Sequence, residues 1–154
     1  MLESIPLTGW MSSTDELTRV SNFVLFDTSI LVDQLRTGRH QARIQSITEL
    51  VRTSSVVLAE LWRGASKPAE RNVLRALEKN HPVLVPTPQN WIESGELLNQ
   101  LRQLKGFLPD KLRDLHFDAL IALTACSHGA RLITSNRADF ELISSIRPMQ
   151  LEIW

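Results

Sequence analysis

Among 154 residues there is a single cysteine, Cys126, so no disulfide can form within the chain. Its setting, ALTACSHG, is an apolar helical stretch, which predicts a small buried thiol rather than a nucleophile. A lone thiol also fits a cytoplasmic location. No apolar run approaches the roughly 18 residues that a membrane span requires. The first twenty residues, MLESIPLTGWMSSTDELTRV, lack a basic region followed by an apolar core, so no signal peptide is expected. His40, His81, His116 and His128 show no metal-ligand spacing and are assigned no role.

Net charge is absent as well, but zero is a balance of unequal parts. Residues 34–80 carry nine Lys or Arg against four Glu, while residues 1–33 sum to −4. A basic segment in a neutral chain is either a set of solvated helix faces or a surface for a polyanion. Composition alone leaves both open.

What is present is a regular alternation of short apolar strands and amphipathic helices. Residues 1–21 read as an N-terminal extension, with Ser13 and Glu16 spaced as a capping box for a short helix through Val20. Residues 22–154 read as one domain. Its expected elements are strand 23–26, helix 28–36, helix 40–51, strand 53–56, a helix through Ala65, and helix 68–79 opened by Pro68. Strand 82–86, helix 88–105, helix 112–128, strand 131–134, helix 136–144 and an edge strand 149–153 follow. The alternation predicts a three-layer α/β/α fold around a mostly parallel sheet, in which ligands bind at the carboxyl ends of the strands.

Four acids interrupt apolar surroundings: Asp27 after VLF, Glu60 in VVLAELW, Asp118 in HFDALIALTA, and Asp139 in SNRADFELI. Each has a bland explanation. Asp118 could favour a helix N-terminal dipole, Asp139 could be a first-turn acid, and Glu60 could pair with Arg63. Asp114 is a solvated first-turn acid in the same way. Taken together, carboxylates gathered at one sheet edge would repel unless a cation sat among them. Oxygen donors without His or Cys suit Mg²⁺ or Mn²⁺, and such an ion points to metal-assisted phosphodiester hydrolysis.

The segments LFDTSILVD, VVLAELWRGA and FDALIALTACSHGARLITSNRADF resemble the PIN-domain ribonucleases in order and wording, most of all the VapC-type toxins of bacterial toxin–antitoxin pairs. The likeness runs from residue 23 to about 143. It implies a Mg²⁺-dependent endoribonuclease acting on cellular RNA, often tRNA or rRNA. Carried over by position, Asp27, Glu60 and Asp118 would be core metal-holding acids. Asp139 would complete the site directly or through water, with Asn136 a neutral ligand or RNA contact. Thr28, Ser29 and Thr134 would orient carboxylates and waters, and Arg36, Arg39, Arg63 and Lys67 would follow the RNA backbone. The resemblance also implies an antitoxin protein laying an apolar segment between the early helices, and homodimer contacts through residues 28–79. Phe117 and Ser29 depart from the commoner residues of the pattern without removing a ligand. Trp62 is expected in a core or interface rather than under a base, and Gly64 is expected to permit close helix packing.

Other readings fit less well. A haloacid-dehalogenase-type phosphotransferase wants an acid where Ser29 stands, and a receiver domain wants a Lys after a late strand. A non-catalytic PIN-like scaffold would have little reason to keep three desolvated carboxylates. That scaffold, binding protein or RNA, is still a closer competitor than the two enzyme classes, and a housekeeping PIN nuclease with no antitoxin is a further alternative.

Overall fold

A short run of consecutive apolar residues bounded by polar ones suits a strand covered on both faces. In the computed structural model, which describes residues 21–154, Phe23–Phe26 form such a strand, β1, at the centre of a five-stranded sheet. The extension's Ser13 and Glu16 lie outside the described residues. The strands are β1, β2 (Leu50–Ser54), β3 (Val83–Leu84), β4 (Ala130–Thr134) and β5 (Leu151–Ile153). They lie in the order β3-β2-β1-β4-β5 and every pairing is parallel. Leu25 pairs in register with Arg52 on one side and Leu132 on the other.

The helices are α1 (Thr28–Thr37), α2 (Gln41–Gln45), α3 (Ser55–Gly64), α4 (Pro68–Asn80), α5 (Pro88–Lys105), α6 (Pro109–Ser127) and α7 (Arg137–Ile146). Side chains alternate across the sheet and so feed two cores. Leu25 and Leu132 face the larger one, built with Val57 and Leu61 of α3, Leu101 of α5, Leu120 of α6 and Phe140 of α7. Val24, Phe26 and Ile133 face a smaller cluster closed by Ile30, Ile44, Ile47, Val51 and Trp154. The Trp154 ring lies 5.7 Å from Phe26 and 5.5 Å from His40, with the Arg43 guanidinium 5.6 Å from its centre. The result is the three-layer α/β/α architecture, with the sheet parallel throughout. Among the described residues no helix is long and apolar enough to cross a membrane.

Several boundaries differ from the sequence reading. The expected helix 40–51 stops at Gln45, and strand β2 begins at Leu50 rather than 53. Ile47 and Thr48 are β-branched and poor at continuing a helix. Leu50 pairs with Phe23, so the sheet takes the residues that periodicity gave to the helix. Ser54 ends β2 because its hydroxyl accepts from the Val56 N–H at 3.1 Å and caps α3. Helix α6 starts three residues early, with Pro109 in its first turn, where a missing N–H costs nothing. Cys126 is half-buried rather than buried. A Cβ added to Gly64 would meet nothing within 4 Å, so this glycine does not mediate close packing.

The chain turns from α6 into β4 at Gly129, whose φ of 60° is accessible to glycine at little cost. Across β4, Arg131 reaches Glu49 at 2.7 Å and also Glu152, fastening the sheet from both sides. Phe140, fully buried, roots the first turn of α7 in the larger core. Phe140→Ala is expected to cost about 3–5 kcal/mol in urea unfolding without changing the urea dependence of the unfolding free energy. A loss below about 1 kcal/mol would show that α7 is not anchored there.

Candidate active site

The order of strands reverses at β1: the chain moves outward to β2 and β3, then returns to β4 on the other side. The crevice between the carboxyl ends of β1 and β4 is therefore the topological switch point, where open α/β sheets receive ligands. Asp27 leaves β1 there, and Thr134, Ser135 and Asn136 leave β4.

Asp27 is buried and serves as the N-cap of α1, with extended dihedrals (φ −68°, ψ 157°). Its Oδ2 accepts from Ser29 Oγ at 2.7 Å, Ser29 N at 3.4 Å and Thr134 Oγ1 at 2.8 Å. The Asp27 N–H in turn donates to the Ile133 carbonyl at 2.9 Å, continuing the sheet ladder. Ser29 Oγ accepts from the Ser135 N–H at 3.1 Å, and Thr134 Oγ1 accepts from the Asn136 N–H at 3.0 Å. The two hydroxyls thus bind the turn after β4 to the carboxylate after β1. One carboxylate oxygen is held by three donors, and Oδ1 is left available.

Glu60 projects from α3 toward the same place and accepts from Thr28 Oγ1 at 2.8 Å. Its carboxyl is raised above the ordinary range, first by burial and then by the charge of Asp27, against the lowering hydrogen bond from Thr28. Arg63 forms no ion pair with Glu60 within 4 Å, although its charge lowers Glu60 slightly.

Asp118 is the most perturbed group. Burial and then the charges of Asp27, Asp139 and Glu60 push its carboxyl up to about 8, and Lys111 acts in the opposite direction. The dipole explanation for Asp118 fails, because α6 begins at Pro109 and the residue lies in mid-helix, beyond the first turn where the dipole acts. No side-chain hydrogen bond or ion pair engages the Asp118 carboxylate among the described residues.

Asp139 is a first-turn acid of α7, whose N-cap is Asn136: Asn136 Oδ1 accepts from the Asp139 N–H at 3.4 Å. Asn136 Nδ2 also donates to Asp139 Oδ2 at 3.1 Å, and Lys111 Nζ reaches Asp139 Oδ1 at 2.8 Å. The sequence reading missed Lys111. Its signal was available: it stands seven residues before Asp118, two helical turns along the same face of α6.

The four residues expected to follow an RNA backbone are all exposed. Arg36 and Arg63 are exposed beside α1 and α3, and Lys67 is exposed at the start of α4. Arg39 also pairs with Asp33 and donates to His40 Nε2. Much of the basic excess is structural: Arg43, Arg52 and Arg75 lie over the rings of Trp154, Phe23 and Trp62. Trp62 is half-buried and donates to Glu78 at 2.6 Å, holding α3 to α4, as expected of a packing residue. Asp114 is exposed, in line with a solvated acid.

Among the described residues, no three acidic, histidine or cysteine side chains already converge as an ion cage. The chemistry of the donors still suits a hard divalent cation: oxygen-only carboxylates, mutually repelling, one of them unpartnered. Asp27 is fixed by its three donors, Glu60 has one, and Asp118 has none.

Beside Glu60 opens a groove of about 300 Å³ between α1, α3 and α4, lined by Val32, Leu35, Leu61, Ala65 and Val73 with Arg36 at its rim. Leu35 and Val73 are exposed.

No curated protein matches this chain. Among solved structures, VapBC2 from Rickettsia felis, bound to a DNA fragment from its promoter, is 25% identical. The match covers 86% of this chain and 98% of that one with a TM-score of 0.65. VapBC-1 from nontypeable Haemophilus influenzae is 24% identical over 86% and 98% of the two chains, with a TM-score of 0.67. A toxin–antitoxin complex from Klebsiella pneumoniae is 25% identical over 84% and 95%, with a TM-score of 0.58. The PIN domain family matches residues 24–144, a span that runs from β1 through α7 and includes all four acids. The chain belongs to the PIN-domain family.

Proposed function

We propose that the protein is a VapC-type toxin, a Mg²⁺-dependent endoribonuclease restrained by an antitoxin. The observation that carries this reading is the crowding of Asp27, Glu60, Asp118 and Asp139 at the switch point, with Asp118 unpartnered and pushed up to about 8 by its neighbours. Such an arrangement is unfavourable in isolation and becomes favourable around a cation. Mg²⁺, with Mn²⁺ as a substitute, would polarise a phosphoryl oxygen and lower the pKa of a bound water.

The chain's own residues do the positioning. Asp27, Glu60 and Asp118 would hold the ion. Ser29 and Thr134 fix the orientation of Asp27, and Thr28 fixes that of Glu60. Asp139, already engaged by Lys111 and Asn136, completes the acidic rim through water. Arg36, Arg63 and Lys67 would meet RNA phosphates approaching over α1 and α3, making binding salt-dependent.

The antitoxin follows from the neighbours, which are toxin–antitoxin complexes, and from the groove beside Glu60. An apolar helix would fill the groove at Val32, Leu35 and Val73, and a basic side chain from it would reach the carboxylates. The same early helices are where a second copy of the chain would pack.

Purified protein incubated with total RNA should cleave it with Mg²⁺ and not with EDTA, and Asp27→Asn and Asp118→Asn should each fall to background. Thr134→Val should lose about 10–100-fold in activity or metal affinity. Cleavage that survives EDTA or both acid variants would remove the metal-site reading.

The titration of Asp118 supplies a second test. Its folded carboxyl, near 8, lies above the ordinary value of 3.8, so the folded state holds a proton that the unfolded state has lost. The contribution of Asp118 to stability without metal should therefore be greatest below about pH 4 and be lost as pH rises through about 8, read as the difference between the protein and Asp118→Asn. Mg²⁺ requires the ionised carboxylate, so binding should release a proton below pH 8. Its apparent affinity should rise by up to about tenfold per pH unit between 6 and 8, read by calorimetry in buffers of differing ionisation enthalpy. Affinity independent of pH, with no proton released, would show that the ion does not displace a proton from a raised Asp118 carboxyl.

A further inference from the structure

Of the four acids, Asp139 alone has a donor on each carboxylate oxygen and a cation paired with it. Lys111 Nζ sits on its Oδ1 at 2.8 Å and Asn136 Nδ2 on its Oδ2 at 3.1 Å. The Lys111–Asp139 pair is partly screened, with 40% and 24% of the side chains exposed, and joins α6 to the first turn of α7. Lys111 acts on Asp118 as well, and among the groups that shift Asp118 it alone favours the ionised form. One ammonium thus serves two acids of the cluster.

Nucleases that bind two divalent ions hold them about 3.5–4 Å apart, one on each side of the scissile phosphate, with carboxylates shared between them. Here the outer carboxylate already has its cation, covalently tethered to α6. An ammonium has three donors. One is used by Asp139, and two remain for water or for a phosphate oxygen.

We infer that Lys111 occupies the place of a second metal ion, so that the site holds one divalent cation on Asp27, Glu60 and Asp118 while Lys111 neutralises Asp139 and faces the RNA phosphate. This inference rests on the metal-site reading above and goes beyond it by fixing the stoichiometry and the role of a lysine. Lys111 is a positioning and charge-supplying residue, and its removal should expose Asp139 as a ligand. Being a partly exposed side chain, it can be replaced without emptying a core.

The test counts Mn²⁺ bound to the purified full chain, by calorimetry and by electron paramagnetic resonance, where two ions a few ångströms apart couple and broaden each other's signal. The wild type and Lys111→Arg should each bind one ion. Lys111→Met and Lys111→Gln should each bind two, with spin coupling, and adding Asp139→Asn to Lys111→Met should restore one. Melting curves confirm that each variant is folded, and the wild-type count stands independently of them. Two ions on the wild type would overturn the inference and leave the metal site standing. One ion on wild type and on both Lys111→Met and Lys111→Gln, at unchanged affinity, would do the same. No ion on any form would remove the metal site and the inference together.

Discussion

The repulsion among four carboxylates brought to one crevice is the constraint that the surrounding structure answers. Asp27 is buried in mid-sheet surroundings and is tolerable there because one oxygen collects three donors and the residue caps a helix. Those donors, Ser29 and Thr134, come from two different elements, so satisfying the carboxylate also fixes the β4 turn relative to α1. Asp139 is relieved by Lys111 and Asn136. Glu60 is relieved in part by Thr28. Asp118 is the remainder, without a donor and displaced furthest from its ordinary titration. A fold selected for stability alone would place an apolar residue there. The cost is borne at one position.

The uneven division of the core serves the same end. The larger core anchors α3, α6 and α7, which carry Glu60, Asp118 and Asp139, against one face of the sheet. The smaller cluster, on the other face, seats α1 and α2 through Ile30, Ile44 and Trp154. Three acids thus ride on one packed body, while Asp27 sits at the junction of sheet and α1. The groove beside Glu60 lies between these bodies, among α1, α3 and α4. A partner helix placed there would touch both.

Much of this was legible in the sequence, for identifiable reasons. The central strands announced themselves because a strand buried on both faces is rich in consecutive apolar residues, as in VLF and in the Leu132–Ile133 pair of RLIT. The acids were legible because each breaks an apolar context. The long helices were fixed by Pro88 and Gly106, which start and stop α5 at the expected residues. What escaped was decided by distant partners. The helical spacing of Ile44, Ile47 and Val51 is real, yet those residues share a cluster by packing beneath β1 from a helix, a turn and a strand. Lys111 escaped because its meaning depends on Asp139, 28 residues further along. Arg39, Arg43, Arg52 and Arg75 looked like a charged surface and turned out to be ion-paired or stacked on rings. A count of charges does not distinguish solvated from engaged arginines.

The hydrogen bond from Thr134 to Asp27 spans 107 residues of chain. During synthesis the amino-terminal part emerges first, at about 5–20 residues per second. Asp27, Thr28, Ser29 and Glu60 are therefore made seconds before Thr134, the distant donor to Asp27. Asp118 follows late, and β4 later still. A nascent or prematurely terminated chain lacks the crevice altogether, since β1 has no neighbour on its β4 side. The acid-lined crevice comes into being only when the last fifth of the protein closes on the first strand. Ribosome-bound fragments that stop short of β4 carry Asp27 without the Thr134 hydroxyl that holds it.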